Sequence, residues 1–250
     1  MGIPVSGLAH AAFQVSDGEA ARAFYSGVLG LHESFGTAGS IFFRVNGLQF
    51  LRVDPREGPA PENRLREVAF LTEDADAARD YLAGRAPVRT ENRDDGNRYV
   101  VTRDPNGWQV AFVEYRPGCG QSTSAAEGED RRLGHELWHA GIIVPDEAAA
   151  SAFYRDLLGF RETWRSGTAQ GSVVYMRMPG EVDQHVEYSL FRPPISHERW
   201  GVSHHVCLKT VDARESARLA IERGAPREDR REPKVGKIGR WLASVWDPDG

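Results

Sequence analysis

Four times along the chain, a short apolar run rich in β-branched and aromatic residues gives way to a stretch whose apolar positions have helical spacing. The two strongest copies are HAAFQVSDGEAARAFYSGVLG from His10 and HAGIIVPDEAAASAFYRDLLG from His139, which stay in register without a gap at an offset of 129 residues. Weaker copies are EVAFLTEDADAARDYLAG from Glu67 and HVCLKTVDARESARLAIERG from His205. Each opens on a polar residue, reaches an aspartate seven positions later (Asp17, Asp74, Asp146, Asp212) and closes on a glycine (Gly30, Gly84, Gly159, Gly224). The run before each aspartate predicts a strand. The aspartate predicts a helix N-cap, and Asp212 with Glu215 has capping-box spacing. Phe24 with Val28, and Phe153 with Leu157, mark the buried face of the helix. The glycine then supplies the left-handed stop.

Further strand-like segments follow each helix: SIFFRVNGLQFLRV, NRYVVTRDPNGWQVAFVEY, GSVVYMRMPG with QHVEYSLFRP, and RWLASVWDPDG. The chain therefore reads as an α+β protein built from four β-α-β-meander units. One such unit is too small to bury both its helix and its sheet face, so the units are expected to pair. The stretch RPGCGQSTSAAEGEDRRLG has linker composition and divides the pairs. This gives an N-terminal domain over 1–117, a linker over 118–134 and a C-terminal domain over 135–250.

Composition narrows the function classes. With 40% apolar and 27% charged residues the chain belongs with folded globular proteins, and its net charge of −5 lacks the electrostatic footprint of a nucleic-acid binder. The basic run REDRREPK is interleaved with acids and reads as a solvated loop. No apolar stretch approaches the length of a membrane span, and the N-terminus lacks a basic segment ahead of an apolar one. Two cysteines, Cys119 and Cys207, make neither a disulfide framework nor a zinc cluster. The expectation is a cytoplasmic protein with a small-molecule substrate and neither nucleic acid nor membrane as partner. An exposed sheet edge makes a homodimer an expectation as well.

Units carrying AFYSGVLG or AFYRDLLG together with DPNG or DPDG resemble the βαβββ modules of the vicinal oxygen chelate superfamily. That group includes glyoxalase I, bleomycin- and fosfomycin-resistance proteins and type I extradiol dioxygenases. The resemblance implies two open-barrel domains of paired modules. It also implies a divalent metal (Fe, Ni, Zn, Mn or Co) held by the residue opening the first strand of each module and by a carboxylate in each last strand. Carried over by position, it points to His139, His205 and Glu187 in the C-terminal pair. His185, two residues before Glu187 on the same strand face, becomes a candidate acid or base beside Glu187. In the N-terminal pair the same positions fall on His10, Gln49 and Glu67, and the fourth on Ala111, which implies an altered site. The fourth ligand of the C-terminal pair would follow DPDG, so the expectation is a C-terminal domain lacking its last strand.

Each of these residues has a plainer reading. A strand histidine is more often simply hydrogen-bonded than a ligand, which weighs against His10. His139 and His205 share a repeat position, and Glu187 adds a third match. Cys207 reads as a small buried hydrophobe. Arg177 and Lys209 read either as pocket cations for an anionic substrate or as ordinary exposed residues. Three functions compete: a glyoxalase-like lyase or isomerase acting through bidentate oxygen chelation, first; an Fe(II) extradiol-type dioxygenase, second; and a non-catalytic metabolite- or drug-binding protein, third.

Overall fold

The computed structural model describes residues 2–58, 63–122, 130–196, 203–225 and 231–250. The first module comprises β1 (Gly7–Val15), α1 (Gly18–Arg22), β2 (His32–Thr37), β3 (Ser40–Arg44) and β4 (Phe50–Pro55). The second comprises β5 (Leu65–Leu71), α2 (Ala75–Leu82), β6 (Arg89–Asn92), β7 (Arg98–Arg103) and β8 (Gln109–Glu114). The third comprises β9 (Glu136–Ile143), α3 (Glu147–Ser151), β10 (Arg161–Thr168), β11 (Gly171–Arg177) and β12 (His185–Phe191). The fourth comprises β13 (His205–Lys209), α4 (Ala213–Glu222), β14 (Arg231–Val235) and β15 (Trp241–Ser244). Part of the linker (123–129) and the start of REDRREPK (227–230) lie outside the described residues, and Arg231 opens β14.

Local chemistry sets the helix ends. Asp17, Asp74, Asp146 and Asp212 are all N-caps whose carboxylates accept first-turn N–H groups. The four closing glycines, Gly30, Gly84, Gly159 and Gly224, adopt φ of 73°, 74°, 78° and 101°, a region that costs a side chain and favours glycine. Between cap and stop, the structure departs from simple helical spacing. Ala23–Val28 and Ala152–Leu157 widen into a π-helical turn, with Leu29 N donating to Phe24 O at 3.0 Å and Leu158 N to Phe153 O at 2.9 Å. The wider turn brings adjacent residues inward together, so Phe24 and Tyr25, and likewise Phe153 and Tyr154, are all buried.

In the N-terminal half an eight-stranded sheet runs β2-β3-β4-β1-β5-β8-β7-β6. The two opening strands, β1 and β5, pair antiparallel at its centre, and each closing strand, β4 or β8, runs parallel to the opening strand of its own module. The C-terminal half repeats the first five positions as β10-β11-β12-β9-β13. There β14 and β15 pair only with each other, and among the described residues no strand stands where β8 separates β5 from β7.

One continuous apolar core takes residues from both halves. Phe70 and Phe160 meet across it with ring centroids 5.4 Å apart. The repeated motifs also interlock. In the DPNG turn, Asp104 accepts the N–H groups of Asn106 and Trp108 at 2.9 Å and the Tyr154 hydroxyl at 3.3 Å, while Asn106 Oδ1 accepts Asp146 N at 3.2 Å. In the DPDG turn, Asp247 accepts the Tyr25 hydroxyl at 2.8 Å and pairs with Arg64, while Asp249 accepts Ser16 N at 2.9 Å. Each turn thus grips the AFY segment of the opposite half. Among the described residues no helix is long and apolar enough to cross a membrane.

Candidate metal centre

In the C-terminal half, β9 lies between β12, parallel to it, and β13, antiparallel. Register places His139 beside His185, while Glu187 and His205 flank Gly141 from opposite sides. Side chains in one row share a face of the sheet, so these residues converge on the concave side. His139 Nε2 lies 3.2 Å from Glu187 Oε2 and 3.1 Å from His205 Nε2, and His205 Nε2 lies 3.5 Å from Glu187 Oε1. All the donor atoms fall within 4.8 Å of one another.

Gly141 makes this convergence feasible. A Cβ there would sit 2.1 Å from His205 Cε1 and 2.6 Å from its Nε2, so the imidazole lies in the space a side chain would fill. Two imidazoles and a carboxylate form a donor set suited to a divalent transition metal. His139 turns its Nε2 toward Glu187 and His205, while its Nδ1 is buried without a hydrogen-bond partner among the described residues.

Electrostatics favour the same use. Burial alone would raise the Glu187 carboxyl, but His205, His139 and the Tyr175 hydroxyl bring it down to about 2. Burial lowers His139 to about 3 despite Glu187, keeping a neutral imidazole. Burial also lowers His185, against the pull of Asp183. His205 moves the other way: its side chain is 41% exposed, and what desolvation it suffers is outweighed by Glu187, which raises it. Tyr175, directly across from Glu187 on β11, stays a hydroxyl donor because burial and that carboxylate both raise it.

His185 stacks within the same aromatic group, with ring centroids 5.3 Å from Trp138 and 5.6 Å from Tyr175, and its Nδ1 is buried without a partner among the described residues. Trp138 reaches this face because β9 and β13 slip register between Leu137 and His139, a bulge that strict alternation does not anticipate. His204 stays apart from the centre, packed edge-on against Trp108 at 4.6 Å. Cys207 lies in register with His139, and burial pushes its thiol up to about 12. Arg177 donates to the Val182 and Glu181 carbonyls, and Lys209 to Glu136.

The N-terminal half brings His10 and Glu67 together, with His10 Nε2 2.9 Å from Glu67 Oε1. Gln49 does not join them. It bonds Leu8 O, Leu137 N and O, and Asn46, and so acts as a strap between the halves. The register equivalent of Glu187 is Arg52: Ala12 pairs with Arg52 and Glu67, as Gly141 pairs with Glu187 and His205. Arg52 donates to Glu67 at 3.1 Å, Arg93 closes on it with two bonds at 2.7 and 2.6 Å, and Gln109 adds one at 2.7 Å. Burial would raise Glu67, yet Arg93 and His10 hold it well below the usual carboxylate range. Guanidinium charge here neutralises the buried carboxylate.

A protein-family model described as the Glyoxalase/Bleomycin resistance protein/Dioxygenase superfamily matches residues 7–112 and 136–250. Among solved structures, a variant of homoprotocatechuate 2,3-dioxygenase from Brevibacterium fuscum is 22% identical, with a TM-score of 0.72 over 99% of this chain and 70% of that one. The 2,3-dioxygenase LapB from Pseudomonas sp. KL28 is 16% identical, with a TM-score of 0.75 over 100% and 91%. The 2,2',3-trihydroxybiphenyl 1,2-dioxygenase of Sphingomonas wittichii RW1 is 19% identical, with a TM-score of 0.72 over 98% and 88%. At these identities the likeness is one of fold. No curated protein matches.

Proposed function

Because the chain belongs to the Glyoxalase/Bleomycin resistance protein/Dioxygenase superfamily, we propose that its C-terminal half is the active half of a divalent-metal enzyme. It would bind a small substrate through two vicinal oxygens and perform extradiol-type ring cleavage of a catechol. The observation that carries this reading is the convergence of His139, Glu187 and His205 within 4.8 Å, in a chain whose N-terminal half fills the equivalent position with arginine. The four-module arrangement is shared in fold with three dioxygenases, and this favours the reading over two-module enzymes.

His139, His205 and Glu187 would hold the metal, which when bound supplies Lewis-acid stabilisation of negative oxygen. His185, kept neutral by burial, is a proton acceptor for a substrate hydroxyl. Trp138 and Tyr175 form an aromatic wall that holds a planar ring and excludes water from that transfer. A glyoxalase-like lyase or isomerase is the second reading. It is favoured by Glu187 itself, a buried carboxylate among the ligands that can carry a proton between neighbouring substrate carbons.

Elemental analysis of the purified protein, followed by oxygen uptake with catechols and isomerisation of thiohemiacetals, tests these readings. Oxygen uptake that disappears in His139→Ala and His205→Ala is the expected result. Isomerisation without oxygen uptake would move the assignment to the second reading. Metal affinity unchanged by both substitutions would remove both.

A further inference from the structure

In each half, the turn of the second hairpin closes over the concave face with the same backbone bonds. Arg93 N donates to Asn97 O and Gly96 N to Arg93 O, matched by Gly236 N to Arg240 O and Gly239 N to Gly236 O. Each turn also lays an arginine on an aromatic ring. Arg93 sits 4.0 Å over Tyr99, and Arg240 sits 4.8 Å over Trp138. Their commitments differ. Arg93 is spent on Glu67 and Glu91. Arg240 makes no guanidinium hydrogen bond among the described residues, and its nearest carboxylate oxygen there, on Asp183, is 3.9 Å away.

Arg240 is nevertheless close to the centre. The Trp138 ring beneath it lies 5.2 Å from His139 and 5.3 Å from His185. The other two cations near His185 are occupied, Arg177 by backbone carbonyls and Lys209 by Glu136. We propose that Arg240 is the specificity-determining residue of this cleft, receiving a carboxylate on the substrate that chelates through its vicinal oxygens. A planar guanidinium takes a carboxylate through two parallel N–H bonds, and its stacking on Trp138 fixes the direction of that fork. Asp183 opposes the anion. Its side chain is 49% exposed and accepts Trp138 Nε1 at 3.4 Å, so it yields to a bound carboxylate by turning to solvent.

The inference rests on the chelation reading, and one experiment separates the two. Protein loaded with Co(II) in an oxygen-free cell is titrated calorimetrically with catechol and with 3,4-dihydroxybenzoate. The wild-type protein is expected to bind the carboxylated ligand about tenfold more tightly. Arg240→Met removes most of that preference and changes catechol affinity far less. Arg240→Lys retains part of it, and Asp183→Asn increases it. Equal wild-type affinity for both ligands, or equal weakening of both by Arg240→Met, overturns the proposal and leaves chelation standing. Binding of neither ligand overturns both.

Discussion

The two halves fill the same three stations, two on opening strands and one on a closing strand, yet they put opposite charges there. The C-terminal stations hold His139, Glu187 and His205, and the N-terminal ones hold His10, Arg52 and Glu67. In the first set the only formal negative charge faces two imidazoles and leaves room for an external cation. In the second, two guanidiniums have already been delivered to the carboxylate. The concave face of the N-terminal sheet is correspondingly filled by Ala9, Ala69, Leu71, Tyr99, Val101, Ala111 and Val113, whereas the His205 side chain is 41% exposed. One backbone plan thus yields a self-neutralised half and a half whose carboxylate is left facing two imidazoles.

The largest expected effect comes from taking the carboxylate out of the self-neutralised half. Glu67→Gln leaves Arg52 and Arg93 without their shared counter-charge in a site where Glu67 is fully buried. Breaking a buried pair by removing one partner costs about 3–5 kcal/mol, and urea unfolding should show that loss equally with EDTA or with added Co(II). Glu187→Gln should behave otherwise. The exposed His205 can release its proton to solvent, so the loss appears chiefly when metal is present, and reaches about 2.7 kcal/mol at a metal concentration 100 times Kd. A Glu67→Gln penalty that depended on metal would break the contrast between the halves.

Gly141→Ala asks whether the C-terminal half depends on a missing side chain. The Ala12 methyl in the other half faces Glu67 and Arg52 without obstructing them, but at 141 a methyl would overlap the His205 ring. Losing one of three ligands is expected to weaken Co(II) binding about a hundredfold, in line with the loss seen when ligand positioning is disturbed, while far-UV circular dichroism stays unchanged. Retention of wild-type affinity would mean that His205 is not a ligand.

Much of this architecture is legible in the sequence wherever the information is local. Aspartate caps, glycine stops and the gapless offset between His10 and His139 concern residues within one helix or one repeat. His139 and His205 share a repeat position, while Glu187 is reached only through the resemblance, which puts a carboxylate in the last strand of the third module. Gln49 does not hold its expected station, because Arg52 and Glu187 are 135 residues apart where the histidines differ by 129. Only the parallel register of β1 with β4 identifies the equivalent residue. Trp138 is hidden by a bulge, and Arg93 and Arg240 by their origin in turns whose reach depends on tertiary packing. The joint between DPNG or DPDG and the AFY segment is visible as two repeated motifs, but nothing in either motif says that they meet across the halves.

That joint offers the smallest of these effects and the most discriminating sign. Burial raises the Asp104 carboxyl to about 6 from its ordinary 3.8, against the N–H groups of Trp108 and Asn106. A group whose folded pKa exceeds its unfolded one contributes stability fully below the unfolded value and loses it as pH rises through the folded value. Asp104 therefore carries no penalty below about pH 4 and costs about 3 kcal/mol once ionised above about pH 6. Asp104→Asn keeps the acceptor oxygen for both N–H groups and turns an amide nitrogen toward the Tyr154 hydroxyl, which can accept it. The variant should gain about 1–2 kcal/mol over wild type at pH 8, gain nothing at pH 4, and flatten the slope between them. The matching change in the other turn, Asp247→Asn, removes the counter-charge from the buried Arg64 and should destabilise at pH 8. Unfolding curves across pH that gave both variants the same sign would mean that the two turns, alike in sequence and in the tyrosine they grip, are held by the same electrostatics after all.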